Sequence, residues 1–232
     1  MVRPEEILYR QIWEKRMNSV GKAYDDGELR IAMAASFTDC GKRLLDVGCG
    51  DGSFILRVKD QLEEVFGLDI SPMAVELCRK NGIKASQINL NGQTTPYPDG
   101  FFDTIVSLEV IEHVFNPLSF LKEINRALRP GGTLIISTPN IRKLQRIVSI
   151  IMGHFPGTSY DPVGFDGGHL HYFTSKDLSN LLMECGFKPI IVRGICGDRR
   201  TWKYRLVVSI SGHHFEEEFL SSGILMKARK IL

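Results

Sequence analysis

The residues best equipped for chemistry in this 232-residue chain lie in four short stretches. In Asp46-Val47-Gly48-Cys49-Gly50-Asp51-Gly52 an acid ends an apolar run and three alternating glycines follow. Such glycines accept positive φ and let a ligand approach the backbone, and the helix start behind them offers free N–H groups. Asp69 ends a second run, Glu64-Val65-Phe66-Gly67-Leu68-Asp69, and a carboxylate is a two-oxygen acceptor suited to paired hydroxyls. Glu109-Val110-Ile111-Glu112-His113-Val114 groups two acids with an imidazole, and Gly167-Gly168-His169-Leu170-His171-Tyr172-Phe173-Thr174 adds two more imidazoles. Histidine titrates near neutrality and is the natural general base. His113, His169 and His171 are therefore the catalytic candidates, each with the alternative of a structural hydrogen bond. Glu109, Glu112 and His113 also have the donor chemistry for a divalent ion. Nothing else in the sequence supports an ion, so no metal ligand is assigned.

These groups need elements to position them. From Lys42 onward short apolar runs alternate with amphipathic segments, which predicts a parallel sheet with crossover helices. Strands are expected at 44–47, 64–69, 83–88, 102–108, 133–137, 188–192 and 206–210. Helices are expected at 53–61, 71–80 with Ser71 as cap, 118–128, and 175–185 with Ser175 as cap. Residues 1–40 read as two helical segments broken at Tyr24-Asp25-Asp26-Gly27, too short for their own core and suited to a lid on the main domain. That domain spans 41–212, with an insertion at about 138–174 and a helical tail at 213–232. In open α/β sheets a ligand sits beyond the carboxyl ends of the strands. Asp46 with the glycine turn, Asp69, Asn89-Leu90 and Glu109 should therefore converge.

The composition, 43% hydrophobic and 24% charged, suits one soluble α/β domain. A net charge of +2 gives no case for a nucleic-acid partner. Cys40, Cys49, Cys78, Cys185 and Cys196 are odd in number and contain no C-x-x-C pair, which argues against a disulfide framework or structural zinc. A charged N-terminus and the lack of an apolar run of about 20 residues point to a cytoplasmic protein. Apolar positions 141, 144, 147, 148 and 151 fit one helical face opposite Arg142, Lys143, Gln145 and Arg146. Such a helix packs on the sheet, or touches a membrane or covers a lipophilic ligand. Tyr160, Phe165, Tyr172 and Phe173 offer an aromatic pocket wall.

The glycine spacing lacks the third glycine of G-x-G-x-x-G, and no G-x-x-x-x-G-K-[ST] is present, which weakens dinucleotide and P-loop readings. The D-x-G-x-G-x-G form followed by Asp69, with Phe101-Phe102-Asp103-Thr104-Ile105-Val106-Ser107 and Leu128-Arg129-Pro130-Gly131-Gly132-Thr133-Leu134, instead resembles the class I S-adenosylmethionine-dependent methyltransferases. The Glu109 to Val114 stretch is similar to the E-x-x-E-H-V form of the ubiquinone-biosynthesis O-methyltransferases. The resemblance covers roughly residues 42–140. It implies a Rossmann-like α/β fold with a seven-stranded, mostly parallel sheet, helices on both faces and an antiparallel last strand. It also implies S-adenosylmethionine as cofactor and S-adenosylhomocysteine as product. Gly48, Cys49 and Gly50 would border the methionine and ribose portions, with Asp46 near the charged amino end. Asp69 would accept from both ribose hydroxyls, Ile70 would flank adenine, and Asn89 with Leu90 would stand where many relatives place an aspartate for the adenine amino group. Glu109 would lie beside the sulfonium. The reaction implied is methyl transfer to an oxygen, or to a nitrogen, of a small and lipophilic or aromatic acceptor. Two alternatives stay open: methylation of a macromolecule, and a non-catalytic cofactor-binding partner. An N-P-P-Y/F tetrad is missing after the fourth strand, against an enzyme for nucleic-acid amines. Oligomeric state is not readable.

Overall fold

The computed structural model describes residues 4–18, 25–39, 41–159, 165–197, 209 and 212–231. Two helices, α1 (Pro4–Asn18) and α2 (Asp25–Phe37), precede β1 (Gly41–Val47), α3 (Ser53–Val58), β2 (Leu62–Asp69), α4 (Pro72–Lys80), β3 (Lys84–Gln87) and β4 (Phe102–Leu108). Then come α5 (Pro117–Ala127), β5 (Leu128–Pro139), α6 (Leu144–Ile151), α7 (Ser175–Glu184), β6 (Phe187–Ile195) and β7 (Gly223–Lys230). The strands form one sheet in the order β3-β2-β1-β4-β5-β7-β6, parallel except for β7, which runs antiparallel to both neighbours. The seven-stranded Rossmann-like expectation is met, antiparallel last strand included.

The central strands are apolar on successive positions because both sheet faces are covered. Leu45, Val47, Ile105, Leu134 and Ile136 pack with Phe120, Leu121 and Ile124 of α5 and Leu178 and Leu182 of α7. Leu44, Val106 and Ile135 face the other way, onto Phe54, Ile55 and Val58 of α3 and Val75 and Cys78 of α4. Each such buried aliphatic or aromatic side chain contributes roughly 1.5–3 kcal/mol of transfer free energy. Cys49, Cys78, Cys185 and Cys196 are all buried. Among the described residues no helix is long and apolar enough to cross a membrane.

Local signals fixed most boundaries. Ser71 caps α4 by accepting from Ala74 N–H, with Pro72 at the first turn. In three places the chain departs from expectation. Of the helical tail expected at 213–232, residues 213–220 are helical, but 223–230 form β7: Leu225, Met226 and Ala228 are fully buried, and β7 is laddered on both sides by β5 and β6. Two full ladders and that burial outweigh the helix propensity of Leu, Met, Lys and Ala. The strand expected at 206–210 lies outside the described residues apart from Ser209. Thr174 rather than Ser175 caps α7, through a capping box in which Asp177 N–H donates to Thr174 Oγ1 at 3.1 Å and Thr174 N–H to Asp177 Oδ2 at 3.2 Å. Finally, α2 begins at Asp25, so Asp25-Asp26-Gly27 belong to the helix rather than to the break, and Tyr24 lies outside the described residues.

Candidate active site

The sheet reverses its winding at β1, which lies between β2 and β4, and a ligand crevice is expected at the carboxyl ends of those strands. A cavity of about 940 Å³ opens there, at the upper end of the roughly 300–1,000 Å³ usual for small-molecule sites. Its wall includes Asp46, Gly48, Cys49, Gly50, Asp69, Ile70, Asn89, Leu90, Glu109, His113 and His169. Of the sequence-derived candidates only His171 is not part of that wall; its N–H donates to Glu112 O and its ring packs against Phe173, a structural placement.

The glycine turn closes over the end of β2: the N–H groups of Gly48 and Cys49 donate to Leu68 O at 2.7 and 3.0 Å. Gly48, Gly50 and Gly52 all have positive φ. A Cβ on Gly48 would come within 2.3 Å of Val110 Cγ2, so only glycine keeps this wall in place. The parallel register sets Asp46 opposite Gly67 and Val47 opposite Leu68, which brings the acids ending β1 and β2 side by side. Asp69 is held by both oxygens, Oδ2 accepting from Gly50 N–H at 2.9 Å and Oδ1 from Ser71 N–H at 2.8 Å. Asp46 is 2% exposed. Burial, then the negative charges of Asp69 and Asp51, pushes its carboxyl up to about 8. The Cys49 thiol turns away from the cavity, toward Cys78 and β2, so this residue offers the cavity its backbone. Asn89 is buried with its amide oxygen accepting from Asn91 N–H at 3.0 Å.

At the other end of the cavity Glu109 has φ +57, strained for a residue with a side chain. Ser137 Oγ donates to its Oε1 at 2.8 Å, and Arg30 Nη1 stands 3.6 Å from its Oε2. Behind it Glu112 is fully buried, Oε2 accepting from Thr138 Oγ1 at 3.1 Å while Oε1 has no hydrogen-bond partner. Burial first, and then Glu109, holds its carboxyl well above the ordinary range. His113 and His169 face it from two segments 56 residues apart in sequence, each with Nε2 4.0 Å from Glu112 Oε1. Burial lowers the His169 pKa, so this imidazole is neutral at physiological pH. Among the described residues Glu112, His113 and His169 form a set with metal-binding potential, where the sequence assigned none.

Sequence reasoning missed several participants. Arg30 of α2 reaches the cavity with its Nε buried and without a hydrogen-bond partner, and Trp13 of α1 closes over Gly50. Nothing in their spacing marks them. Thr158 and Asp166 hold His169 through a turn in which Phe165 and Asp166 both have positive φ. Among the described residues the aromatic wall is not formed: Phe165 and Tyr172 lie against Phe155 on the outer surface and Phe173 is buried in the core, while Tyr160 lies outside the described residues. The expected packing of α6 is inverted. Leu144, Val148, Ile151 and Met152 are exposed, whereas Arg146 is 9% exposed. Its guanidinium donates to the carbonyls of Asn140, Gly157, Thr158 and Ser222. A fork of donors that can satisfy four carbonyls is worth burying, and it turns the apolar face outward.

Comparison with known proteins agrees with this geometry. A family profile described as a methyltransferase domain matches residues 21–191. The ubiquinone biosynthesis O-methyltransferase of Cereibacter sphaeroides (strain ATCC 17029 / ATH 2.4.9) is 28% identical over 170 residues, 72% of this chain and 68% of that protein. A Thermotoga maritima structure described as a SAM-dependent methyltransferase, possible histamine N-methyltransferase, superposes with TM-score 0.71 at 16% identity, over 97% of this chain and 99% of the other. A geranyl diphosphate methyltransferase in complex with GPP and sinefungin superposes with TM-score 0.62 at 17% identity, over 88% and 79% of the two chains. The glycine turn without side chains, the acceptor pair on Asp69 and the room in the cavity all fit S-adenosylmethionine as cofactor. The chain belongs to the methyltransferase domain family and is a class I S-adenosylmethionine-dependent methyltransferase.

Proposed function

We propose that this protein methylates a hydroxyl oxygen of a small, lipophilic acceptor. The observation that carries the reading is that two imidazoles and a buried acid converge on the same cavity as the glycine turn. The bound cofactor supplies an electrophilic methyl group on a sulfonium. The chain's own task is then alignment and handling of one proton. Asp69 takes the ribose hydroxyls, Asp46 and Arg30 the amino and carboxylate ends of the methionine portion, and Ile70, Asn89 and Leu90 the adenine. Glu109 borders the reacting centre. The acceptor hydroxyl is activated at the Glu112–His113–His169 cluster, with His171 acting only as support. The exposed apolar residues of α6, Leu144 and Val148 among them, on the helix whose Arg146 lines the cavity, favour a lipophilic acceptor over a highly charged one. The 28% identity to the Cereibacter O-methyltransferase supports oxygen as the acceptor atom.

Turnover of methyl-labelled cofactor against phenols, quinols, amines and RNA tests this. Methylation of phenols or quinols is expected, with His113→Ala lowering kcat at least about 100-fold, as for loss of an acid-base group, while cofactor affinity changes little. Methylation of amines or RNA alone would refute the acceptor assignment. A His113→Ala enzyme that turns over normally would remove the cluster from the chemistry.

A further inference from the structure

A chain of contacts outside the cluster dictates the tautomer of His169. His169 Nδ1 lies 2.6 Å from Thr158 Oγ1, and that hydroxyl lies 2.6 Å from Asp166 Oδ2. The Asp166 side chain is 3% exposed. Its Oδ1 accepts from the N–H groups of Thr158 and Ser159, both at 2.7 Å, and Tyr172 Oη adds a longer contact to Oδ2 at 3.3 Å. Burial disfavours the charge, yet the N–H of Ser159 and the hydroxyl and N–H of Thr158 hold the carboxyl below the ordinary aspartate range. An ionised carboxylate only accepts, so the single Thr158 hydroxyl hydrogen points to Asp166 and Oγ1 accepts from the ring. His169 therefore carries its proton on Nδ1 and a lone pair on Nε2. With Nδ1 engaged by Thr158, Nε2 is the ring nitrogen left for an acceptor in the cavity that His169 lines.

We infer that Thr158 and Asp166 are positioning residues that hold His169 as the general base for the acceptor hydroxyl, a role that rests on the O-methylation reading above. The acceptor O–H proton passes to Nε2 as the oxygen's electron pair forms the bond to the methyl carbon. The leaving sulfur keeps the pair of the broken C–S bond. The imidazolium so formed has Nδ1 3.5 Å from Asp166 Oδ2, close enough for the carboxylate to stabilise its charge, and it returns the proton to water once product has left. His113 packs against the same ring with centroids 4.6 Å apart, which restricts its rotation. Phe165 and Asp166 both have positive φ, a strained backbone for residues with side chains, and what the strain provides is an inward carboxylate. Asp166→Asn has nearly the same shape. Its amide oxygen can keep the two backbone N–H contacts while its NH₂ takes the place of Oδ2. That NH₂ donates to Thr158 Oγ1, the hydroxyl must then donate to His169 Nδ1, and the ring proton moves to Nε2. The exchange of one atom thus inverts the tautomer of the neighbouring ring and removes the lone pair that the acceptor needs.

Tautomer and turnover are read separately. Long-range proton–nitrogen correlation spectra of isotope-labelled, full-length protein at neutral pH report which ring nitrogen carries the proton, with the His169 signals assigned by their loss in His169→Gln. Nδ1–H is expected in the wild type and Nε2–H in Asp166→Asn. Turnover uses methyl-labelled S-adenosylmethionine with the fastest acceptor of the phenol, quinol and amine panel. Asp166→Asn and Thr158→Val should each lower kcat about 100-fold or more, the range for an acid-base group, with the KM of the acceptor little changed. Thr158→Ser, which keeps the hydroxyl, should recover the wild-type tautomer and most of the turnover lost in Thr158→Val. Circular dichroism and S-adenosylhomocysteine binding identify any variant that has failed to fold, and where Asp166→Asn is one of them the two Thr158 variants carry the comparison. Nε2–H in the wild type, or wild-type kcat in the folded variants, would overturn the inference. Nδ1–H in the wild type and a lowered kcat in the folded variants, with amines alone methylated, would keep the role of Thr158 and Asp166 and reject the oxygen acceptor.

Discussion

Asp46 gives the sharpest quantitative consequence of the proposed cofactor pose. Its carboxyl is 2% exposed and titrates at about 8 in the folded protein, against 3.8 for an ordinary aspartate. The difference corresponds to something on the order of 5 kcal/mol for ionising it in the empty site. Because the folded pKa is raised, the native state holds a proton that the unfolded chain has lost between about pH 4 and pH 8. Apo-protein stability from this group is therefore fully present below about pH 4 and declines as pH rises through that window. A cofactor ammonium beside Asp46 reverses the preference, so binding expels the proton. At pH 7 a group with a pKa near 8 is about nine-tenths protonated, and calorimetry in phosphate and in Tris should show release of about 0.9 proton per cofactor bound. Affinity should climb up to about tenfold per unit from pH 5 and level off near pH 8, where the cofactor's own amino group begins to lose its proton at about 7.7–8.0. Asp46→Asn should bind more weakly at pH 8, abolish the proton release and flatten the pH profile. Proton release below about 0.2 at pH 7 in the wild type, or an unchanged profile in the variant, would refute the pairing of Asp46 with the ammonium.

Three further outcomes test the geometry. Gly48→Ala sets a Cβ within 2.3 Å of Val110 at φ +77, a conformation costing about 1–2 kcal/mol before the clash is counted. Cofactor affinity by calorimetry and the melting temperature should both fall. Arg146→Met should raise the urea sensitivity by about 3 kcal/mol or more, since it strands carbonyls that the guanidinium now satisfies. Ile151→Lys on the same helix, at a residue 76% exposed, should stay within about 0.5 kcal/mol; the opposite ranking would mean that the helix faces the other way. Thr174→Ala should cost about 1 kcal/mol in the same assay through the lost capping box.

The convergence of Asp46, the glycine turn and Asp69 on the cavity was legible because its determinants are local. Positive φ at alternate residues demands glycine, and an acid at the last position of a parallel strand lands at the carboxyl edge wherever the strand sits in the sheet. Asp46, Gly48, Gly50 and Asp69 follow from those two facts. The acceptor half was less readable because its determinants are long-range. The spacing of Leu144, Ile147, Val148 and Ile151 states that a helix has an apolar side but not which side is buried, and here Arg146 decides it. In the H-x-H stretch His169 goes to the cavity and His171 away, and long-range contacts decide which goes where: the Glu112 carbonyl accepts from the N–H groups of Leu170 and His171, and Thr158 with Asp166 holds the His169 ring. The end of the tail, 223–230, was misread for a related reason, since β7 exists only between β5 and β6.

The N-terminal helices link the two halves in a way that neither half's motifs reveal. Trp13 packs over Gly50 at the cofactor turn, while on the same helix Tyr9 meets the His113 ring edge-on at 5.7 Å and Leu8 lies against Gly168. Arg30 reaches Glu109 from α2. Gly168 O is the group that orients His113, so a shift of α1 displaces the imidazole through its ring contact and its hydrogen bond together. The helix that covers the glycine turn thus also sets the geometry of His113, an imidazole of the cluster proposed to prepare the acceptor. A substitution at Tyr9, more than 100 residues from His113 in sequence, is accordingly expected to act on the same step as one at His113 itself.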